Sequence, residues 1–495
     1  MAYSPAGEEI TIDISSELPA ADWPECCIYR VPKLLRKVNK EAYTPKLISI
    51  GPFHCNREEF WEMEMLKQRY FKNFLNRTGK SQQDLRKIIE DNEEKIRHCY
   101  SEDSTLESGE FVKMILLDAI FIIELFLKVR DQKKGEVEEE DYILRKKWLA
   151  NGIYYDLLLL ENQLPFFVLE KLYKFAGFSD SPSSCNHYEE GKLLEEHKEN
   201  LKTRDAPMVK LFRNYFTYYD QKRKPIGQEV IEEPTGKEKT ERPIGEEVKH
   251  FTDLLRYLFC PQVMEKRWVL KKARWSNERG CMDSSKKNKK RYSGTQLCAT
   301  KLNDAGLKFK VIDDTCLVDI TVSNVSHVTL YTCLVKDDTK KPGCFGFPMH
   351  ILQVSQLVID YGTATIFRSL MALEQCHYPS KTYICSYVLL LDRLIDTVKD
   401  VDLLVDKKVI VNHLGSNAKV AALINKLGDQ IVATTSSYFD IIAQKLNDHY
   451  EFPLNHLLAT LKSEYFPNIF RGTATIVGLI VLGFTLWNFL RPYVM

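Results

Sequence analysis

The sequence predicts a mainly helical body with one small β-sheet, followed by a single C-terminal transmembrane helix. Apolar residues recur at steps of three and four over most of the chain, which is typical of helices that bury one face. Apolar and polar residues alternate mainly between residues 307 and 355, which favours strands there. Residues 472–490 contain no charged side chain. These three observations set the fold class and the order of its parts.

Composition limits the classes of function. The chain has 495 residues, of which 44% are hydrophobic, so a sizeable core is available. Lys and Arg total 69 against 68 for Asp and Glu, and this balance gives no general attraction to nucleic acid. The 13 cysteines include no C-x-x-C pair, which indicates free thiols in a reducing compartment and not a zinc site or a disulfide framework. We expect no nucleic-acid partner.

The chain divides into a terminal segment, a body and an anchor. Residues 1–25 are polar and acidic, without the basic and apolar regions of a signal peptide, and we expect them to be disordered. The body covers residues 26–470. It begins with a short basic helix after Pro32 and an extended piece that ends at Gly51-Pro52. Helical periodicity then predicts helices over residues 58–76, 82–99, 109–130, 250–260, 365–376, 383–398, 417–427, 437–449 and 454–466.

Two regions of the body depart from the helical pattern. The segments 307–312, 316–322 and 327–335 are predicted strands of a small sheet at about 307–355. Residues 179–249 are polar and charged, with apolar periodicity only near 207–219 and a near-duplicated "PIGQEV"/"PIGEEV" motif. We expect an exposed loop there, which is either a partner-reading surface or a spacer.

The uncharged stretch 472–490 is predicted to be the anchor. Nineteen helical residues extend about 28 Å, close to the thickness of the hydrocarbon core. Arg471 and Arg491 flank it, with aromatic residues beyond both ends. A buried core helix is the alternative. The prediction is a single-pass C-terminal anchor in the lipid bilayer of the plasma membrane or an endomembrane, with a cytosolic body. The sequons at Asn76 and Asn324 would matter only for a lumenal body.

Several short motifs suggest chemistry but have simpler interpretations. Gly79-Lys80-Ser81 lacks the first glycine and the preceding strand of a phosphate loop. Asp400-Val401-Asp402 precedes an apolar run and suits helix capping. His54-Cys55 and His98-Cys99 could bind a metal only if they met in space. The basic run 286–291 lacks interleaved aromatic residues. We therefore predict no catalytic residue, no cofactor and no metal site.

Five titratable residues lie in apolar surroundings and keep an enzymatic alternative open. Buried carboxylates can act as catalytic acids or bases. In large helical cores they are more often hydrogen-bonded structural groups, and we favour that interpretation. The five residues are Asp118, Glu124, Glu161, Glu374 and His377.

The stretch "DLLLLENQLPFFVL" at 156–169 places three polar residues and a proline within an apolar segment. Pro165 must break a helix there, because it has no N–H and its ring clashes with the preceding turn. Breaking a helix inside a core frees main-chain groups, and Glu161, Asn162 and Gln163 can supply their partners. The sequence therefore predicts a buried corner between two helices, with all three polar side chains inside.

The same stretch resembles a hallmark of the plant family called domain of unknown function 247. The resemblance runs in order over residues 26–490, although 325–346 departs from the family's usual short apolar strand pair. Six further segments are similar to the family pattern: "IYRVPKLLRKVNKEAYTPKLISIGPFH" (28–54), "MEMLKQRYFKNFL" (63–75), "FVKMILLDAIFIIELF" (111–126), "AGLKFK" (305–310), "IFRSLMALEQC" (366–376) and "NHLGSNAKVAALINKL" (412–427).

The resemblance implies no enzyme class and no catalytic residues. It implies membrane association, and some grass members are similar to male determinants of self-incompatibility. The hypothesis is a non-enzymatic, membrane-tethered recognition or signalling protein with an unknown protein partner. An enzyme that uses buried carboxylates and a structural membrane adaptor are the alternatives.

Overall fold

The computed structural model describes residues 23–135, 141–178, 207–219, 248–260, 298–312, 316–325, 349–432, 438–465 and 469–494. Within them the chain is mainly helical, as predicted, and it contains two small sheets where one was predicted. Four predicted features lie wholly or largely outside these residues. They are the N-terminal segment 1–25, most of the loop 179–249, the basic run 286–291 and the strand 327–335.

A long central helix organises the first half of the body. The helices are α1 Lys33–Val38, α2 Trp61–Thr78, α3 Gln82–Glu90, α4 Glu93–His98, α5 Ser108–Lys134, α6 Tyr142–Arg145, α7 Lys147–Asp156, α8 Phe166–Phe175 and α9 Pro207–Tyr219, with 3-10 turns at Lys40–Tyr43 and Glu58–Phe60. The helix α5 is buried nearly all round and packs against α2, α3, α8 and α9. Its apolar sequence correctly predicted a central core helix.

A second group of helices completes the body. They are α10 Phe251–Phe259, α11 Ala299–Asp304, α12 Thr363–His377, α13 Tyr383–Leu394, α14 Val398–Asp406, α15 Asn417–Leu427, α16 Tyr438–Glu451 and α17 Pro453–Tyr465. The helix α12 packs against α10, α13 and α15. The predicted helix 383–398 is too long, because α13 ends at Leu394 and α14 begins at Val398.

A small mixed sheet forms in the predicted region 307–355, but only the predicted strand 307–312 matches closely. The predicted strand 316–322 is displaced, because the observed strand begins at Thr321. Strands β1 (Lys308–Ile312), β2 (Thr321–Val325) and β3 (Met349–Ser355) are ordered β1-β3-β2. The pair β1–β3 is parallel and β2–β3 is antiparallel, with Leu352 of β3 opposite both Phe309 and Val322. A parallel pair that the sequence analysis missed joins β4 (Leu357–Ile359) to β5 (Ile410–Asn412).

The predicted anchor falls on the last helix, α18 (Ile469–Val494). In the part of the chain that the structure describes, no helix combines the length and the apolar character required to cross a membrane. The helix α18 nevertheless exposes large apolar side chains to solvent. Those that are at least half exposed are Val477, Leu479, Ile480, Val481, Leu482, Phe484, Leu486 and Trp487.

Candidate functional site

The connection between the two helices of the corner, at residues 156–165, is longer than the sequence suggested. The helix α7 ends at Asp156, and α8 begins only at Phe166, after Pro165. Because α7 ends at Asp156, the carboxylate of this residue can accept hydrogen bonds from the N–H groups of Lys46, Leu47 and Ile48, at 2.6–3.0 Å. Burial raises the pKa of Asp156 to about 6, against the lowering effect of those hydrogen bonds. This carboxylate anchors the extended piece 46–50 to the corner.

Asn162 and Gln163 form hydrogen bonds with main-chain groups, as predicted. Asn162 is fully buried, accepts the Ile50 N–H at 2.7 Å and donates to the carbonyls of Ile48 and Asp156. Gln163 is equally buried, and its amide donates to the carbonyls of Leu157, Leu159 and Asn162 at 2.7–3.0 Å. The two side chains thus provide donors for the carbonyls of Asp156, Leu157 and Leu159, where the apolar segment turns.

Gln163 also connects the corner to α10. Its Oε1 accepts the N–H of Thr252 at 3.3 Å, and the Thr252 hydroxyl donates to the carbonyl of Leu158 at 3.1 Å. Thr252 lies at the start of α10, where backbone N–H groups have no partner inside the helix. The corner therefore satisfies a helix end that is distant in sequence.

Glu161 faces the opposite direction, towards the N-terminal part of the body. Its Oε1 accepts the Val31 N–H at 2.6 Å and a hydrogen bond from Arg36, while its Oε2 lies 3.0 Å from His54 Nε2 and 3.6 Å from Arg30. Burial alone would raise the pKa of Glu161, but contacts with His54, the Val31 N–H and Arg36 lower it below the ordinary value. Burial lowers the pKa of the His54 ring. The prediction that all three polar residues of the corner are buried is confirmed.

An open polar cleft lies next to Glu161, and Arg30 connects the two. One Arg30 nitrogen lies near Glu161, and the same group donates to the carbonyl of Phe53 at 3.1 Å. A second nitrogen of Arg30, Nε, pairs with Glu102 at 2.9 Å. The Arg30 guanidinium also lies 4.3 Å from the centre of the Phe53 ring. The cleft has a volume of about 390 Å³ and is lined by Arg30, Pro52, Phe53, Cys55, Asn56 and residues 102–106.

The chemistry of this cleft favours binding. Arg30 is half-buried and held in place on one wall, whereas Glu102 and Asp103 are exposed carboxylates on the rim. The thiol of Cys55 donates to the carbonyl of Pro52 at 3.1 Å, and burial raises its pKa. A thiol with a raised pKa is a poor nucleophile at neutral pH. The cleft therefore offers fixed charge and hydrogen-bonding groups.

The other four titratable residues that the sequence singled out occupy separate places. Asp118 pairs with the buried Lys67 at 2.6 Å. Glu124 pairs with Arg77, and Glu374 pairs with Arg256 and accepts the N–H groups at the start of α13. His377 contacts the hydroxyl of Tyr29 at 3.0 Å.

None of these contacts joins two of the five residues. In each carboxylate pair, the opposite charge compensates the cost of burying the acid. Burial raises the pKa of Asp118 to about 6, with the Lys67 ammonium opposing the shift. The structure therefore does not bring the five together, and sequence reasoning missed the buried Lys67, whose long charged side chain gave no sign of burial.

The rejected motifs have structural roles where the structure describes them. Gly79 ends α2 in the left-handed conformation, and Ser81 caps α3. Asp400 forms a capping box with Thr397 at the start of α14, and hydrogen bonds from Thr300 and Thr397 lower its pKa to about 2 despite burial. Among the described residues, no group of three or more potential His, Cys, Asp or Glu ligands comes together.

A family profile described as "Plant protein of unknown function", DUF247, matches residues 28–484. The chain belongs to the DUF247 family. The match begins just before Val31, which donates to Glu161, and includes both the corner and the cleft. No solved structure matches.

Two Arabidopsis thaliana proteins are similar to this DUF247 chain. The UPF0481 protein At3g47200 is 28% identical over 488 residues, which cover 94% of this chain and 86% of that protein. The putative UPF0481 protein At3g02645 is 25% identical over 473 residues, which cover 88% of this chain and 85% of that protein. The similarity therefore extends over nearly the whole length of each.

Proposed function

We propose that this DUF247 protein is a membrane-tethered recognition protein and not an enzyme. Its helix α18 provides the attachment, and its helical body presents the cleft beside Arg30 to a protein partner. The observation that supports recognition most directly is the cleft itself, which is open and polar and whose Arg30 also lies 3.6 Å from the buried Glu161. The body faces the cytosol, and the membrane is the plasma membrane or an endomembrane.

The exposed side chains of α18 support the attachment. Leu479, Phe484 and Trp487 are each more than 60% exposed, and similar residues surround them. Large contiguous apolar surface is unfavourable in water and favourable among lipid chains, at about 25 cal/mol per Å² removed from water. A lipid bilayer is the surface that fits a helix with apolar side chains along its length.

The rim of the cleft indicates the chemistry of the partner. Glu102 pairs with Arg30, yet its side chain is 57% exposed, and Asp103 lies beside it. Carboxylates on a rim attract a basic group. The proposed partner therefore presents a Lys or Arg side chain to this cleft.

Capture of partners from plant membranes tests recognition. Purified full-length protein is compared with Glu102→Gln, which removes the rim charge at the Arg30 pair. Glu90→Gln is the matched control, because Glu90 is also an exposed carboxylate, paired with Arg86 at 2.7 Å, but lies outside the cleft. We expect Glu102→Gln to weaken capture at least about fivefold, a loss of about 1 kcal/mol. Equal capture by both variants would contradict the proposal.

Replacing residues 221–246 by a Gly/Ser linker gives a second variant for the capture experiment. These residues lie outside those that the structure describes, and their predicted role as a partner-reading loop or a spacer stays a prediction. We expect capture to survive the exchange. Loss of capture with the linker, but not with Glu102→Gln, would move the recognition surface to this loop.

The self-incompatibility role suggested by the resemblance is a narrower proposal. It requires the protein to be present in pollen and its partner in the stigma. Detection of the protein only in vegetative tissue would contradict that role and leave the broader recognition function standing.

A further inference from the structure

Two buried cysteines, Cys27 and Cys99, lie where the first residues of the body form main-chain hydrogen bonds with the residues that follow α4. The N–H groups of Cys27 and Ile28 both donate to the carbonyl of Cys99, at 3.0 and 2.9 Å, and Ser101 donates back to Ile28 at 3.0 Å. Ile28 and Tyr100 thus form a parallel bridge, with Cys27 and Cys99 as the preceding neighbours. The 3.0 Å main-chain hydrogen bond from Cys27 to Cys99 brings the two residues close together, as a disulfide requires.

The two side chains also contact each other. Both are buried, and a hydrogen bond joins the two thiols. The Cys99 thiol donates to the carbonyl of Lys95 at 3.2 Å, which leaves its sulfur as the acceptor for the Cys27 S–H. The two thiols are therefore neighbours in the reduced protein.

The surroundings make the two thiols unequal. The hydrogen bond from Cys27, followed by the charge of Lys95, lowers the pKa of Cys99 although burial opposes the shift. The same hydrogen bond and burial raise the pKa of Cys27. The direction of the two shifts makes Cys99 the attacking thiol and Cys27 the resolving thiol of the pair.

We propose that Cys27 and Cys99 are a modification site that hydrogen peroxide converts into a reversible disulfide. The Cys99 thiolate attacks one peroxide oxygen, the O–O bond breaks, and protonation releases water and leaves a sulfenic acid. The Cys27 sulfur then attacks the sulfenic sulfur and loses its proton, and the hydroxyl leaves as water. Two thiols and one peroxide thus give one disulfide and two waters.

The position of the disulfide gives it a consequence at the cleft. Arg30 follows Cys27 by three residues, and Glu102 follows Cys99 by three residues, and these two form the 2.9 Å ion pair of the cleft. The cross-link joins the two segments that carry this pair and fixes their relative position. Only this consequence, and not the disulfide itself, rests on the proposed function.

Peptide mapping without reduction tests the site. Reduced full-length protein in detergent is treated with hydrogen peroxide, alkylated and digested. We expect a cross-linked peptide pair containing Cys27 and Cys99, with a loss of about 2 Da that a thiol reductant reverses. Recovery of both cysteines as separate alkylated or over-oxidised peptides would overturn the proposal, and so would cross-links that join them to other cysteines.

Matched variants make the test specific. Cys27→Ser and Cys99→Ser should each abolish the cross-link. Cys385→Ser is the control, because Cys385 is also a buried thiol, donates to the carbonyl of Met371, and should leave the cross-link intact. The wild-type map decides the question even if a serine variant fails to fold. Its readout is mass, so it is independent of whether a partner binds the cleft.

Discussion

The corner at 156–165 and the helix α18 are both apolar in sequence, and they arrange their side chains in opposite ways. The corner buries Glu161, Asn162 and Gln163 and pairs them with groups from distant parts of the body. The helix α18 exposes residues such as Leu479 and Phe484. In the first region polar groups are inside because they have partners. In the second, large apolar side chains are exposed in the part of the chain that the structure describes.

This difference separates two roles. Removing a polar side chain from the corner leaves buried donors or acceptors unpaired, so the cost falls on the stability of the body. Removing exposed apolar side chains from α18 leaves no buried group unpaired, so we expect the cost to fall on the proposed attachment and not on the body. Substitutions in the two regions should therefore change the free energy of unfolding by very different amounts.

Replacing Glu161 by Leu should have the largest effect. It removes the acceptor of the Val31 N–H and leaves Arg36 and Arg30 without their buried counter-charge. Both arginines are partly exposed, so water screens part of the loss, and we expect about 3 kcal/mol of destabilisation. Urea unfolding of the protein in detergent measures it. Glu90→Leu, at an exposed position, is the control, and equal losses in the two variants would contradict a structural role for the corner.

Gln163→Leu should destabilise the body by about 1–3 kcal/mol. The three carbonyls that the amide serves and the N–H of Thr252 would lose their partner, although the volume of the side chain is nearly conserved. The same unfolding experiment measures the change. A loss below about 0.5 kcal/mol, typical of surface substitutions, would show that these groups find other partners.

Asp156 should make the stability of the body depend on pH. Its folded pKa of about 6 lies above the ordinary value of 3.8, so its contribution is fully present below the lower value and is lost as pH rises through 6. In Asp156→Asn, the fall in the free energy of unfolding with rising pH should be smaller by about 1–3 kcal/mol. Unfolding measured between pH 4 and 7 in both proteins tests the sign. An unchanged slope would contradict the raised pKa.

Polar substitution of α18 should affect the stability of the body least. Serine at Leu479, Leu482 and Phe484 should change the unfolding free energy by less than about 0.5 kcal/mol, because these side chains are exposed. The same variant should bind lipid vesicles much more weakly than the wild type. A large loss of stability would mean that α18 packs against the body, and would remove the contrast between the two regions.

Much of the fold was readable from the sequence because its signals are local. The apolar periodicity of α5 indicated a central helix, and Pro165 with its polar neighbours indicated a buried corner. One local signal was missed, since the predicted helix 82–99 breaks at Asn92, whose side chain bonds the carbonyl of Ile88. A residue of this type competes with the helix for main-chain groups.

The remaining features depend on contacts between distant segments. The helix α7 ends at Asp156 because its carboxylate is required by the N–H groups of 46–48. Strands β4 and β5 have three residues each, too few for a recognisable alternation. The walls of the cleft come from two distant segments, which the ion pair between Arg30 and Glu102 joins. A single sequence contains no signal for any of these three pairings.

Membrane fractionation of a protein lacking residues 472–495 tests the central claim most directly. Full-length protein should sediment with membranes and resist a carbonate wash. The truncated protein should appear in the soluble fraction with the body folded, and its stability should still respond to Gln163→Leu. A truncated protein that stays with the membranes after the wash, while remaining folded, would contradict the account, because another segment would then provide the attachment.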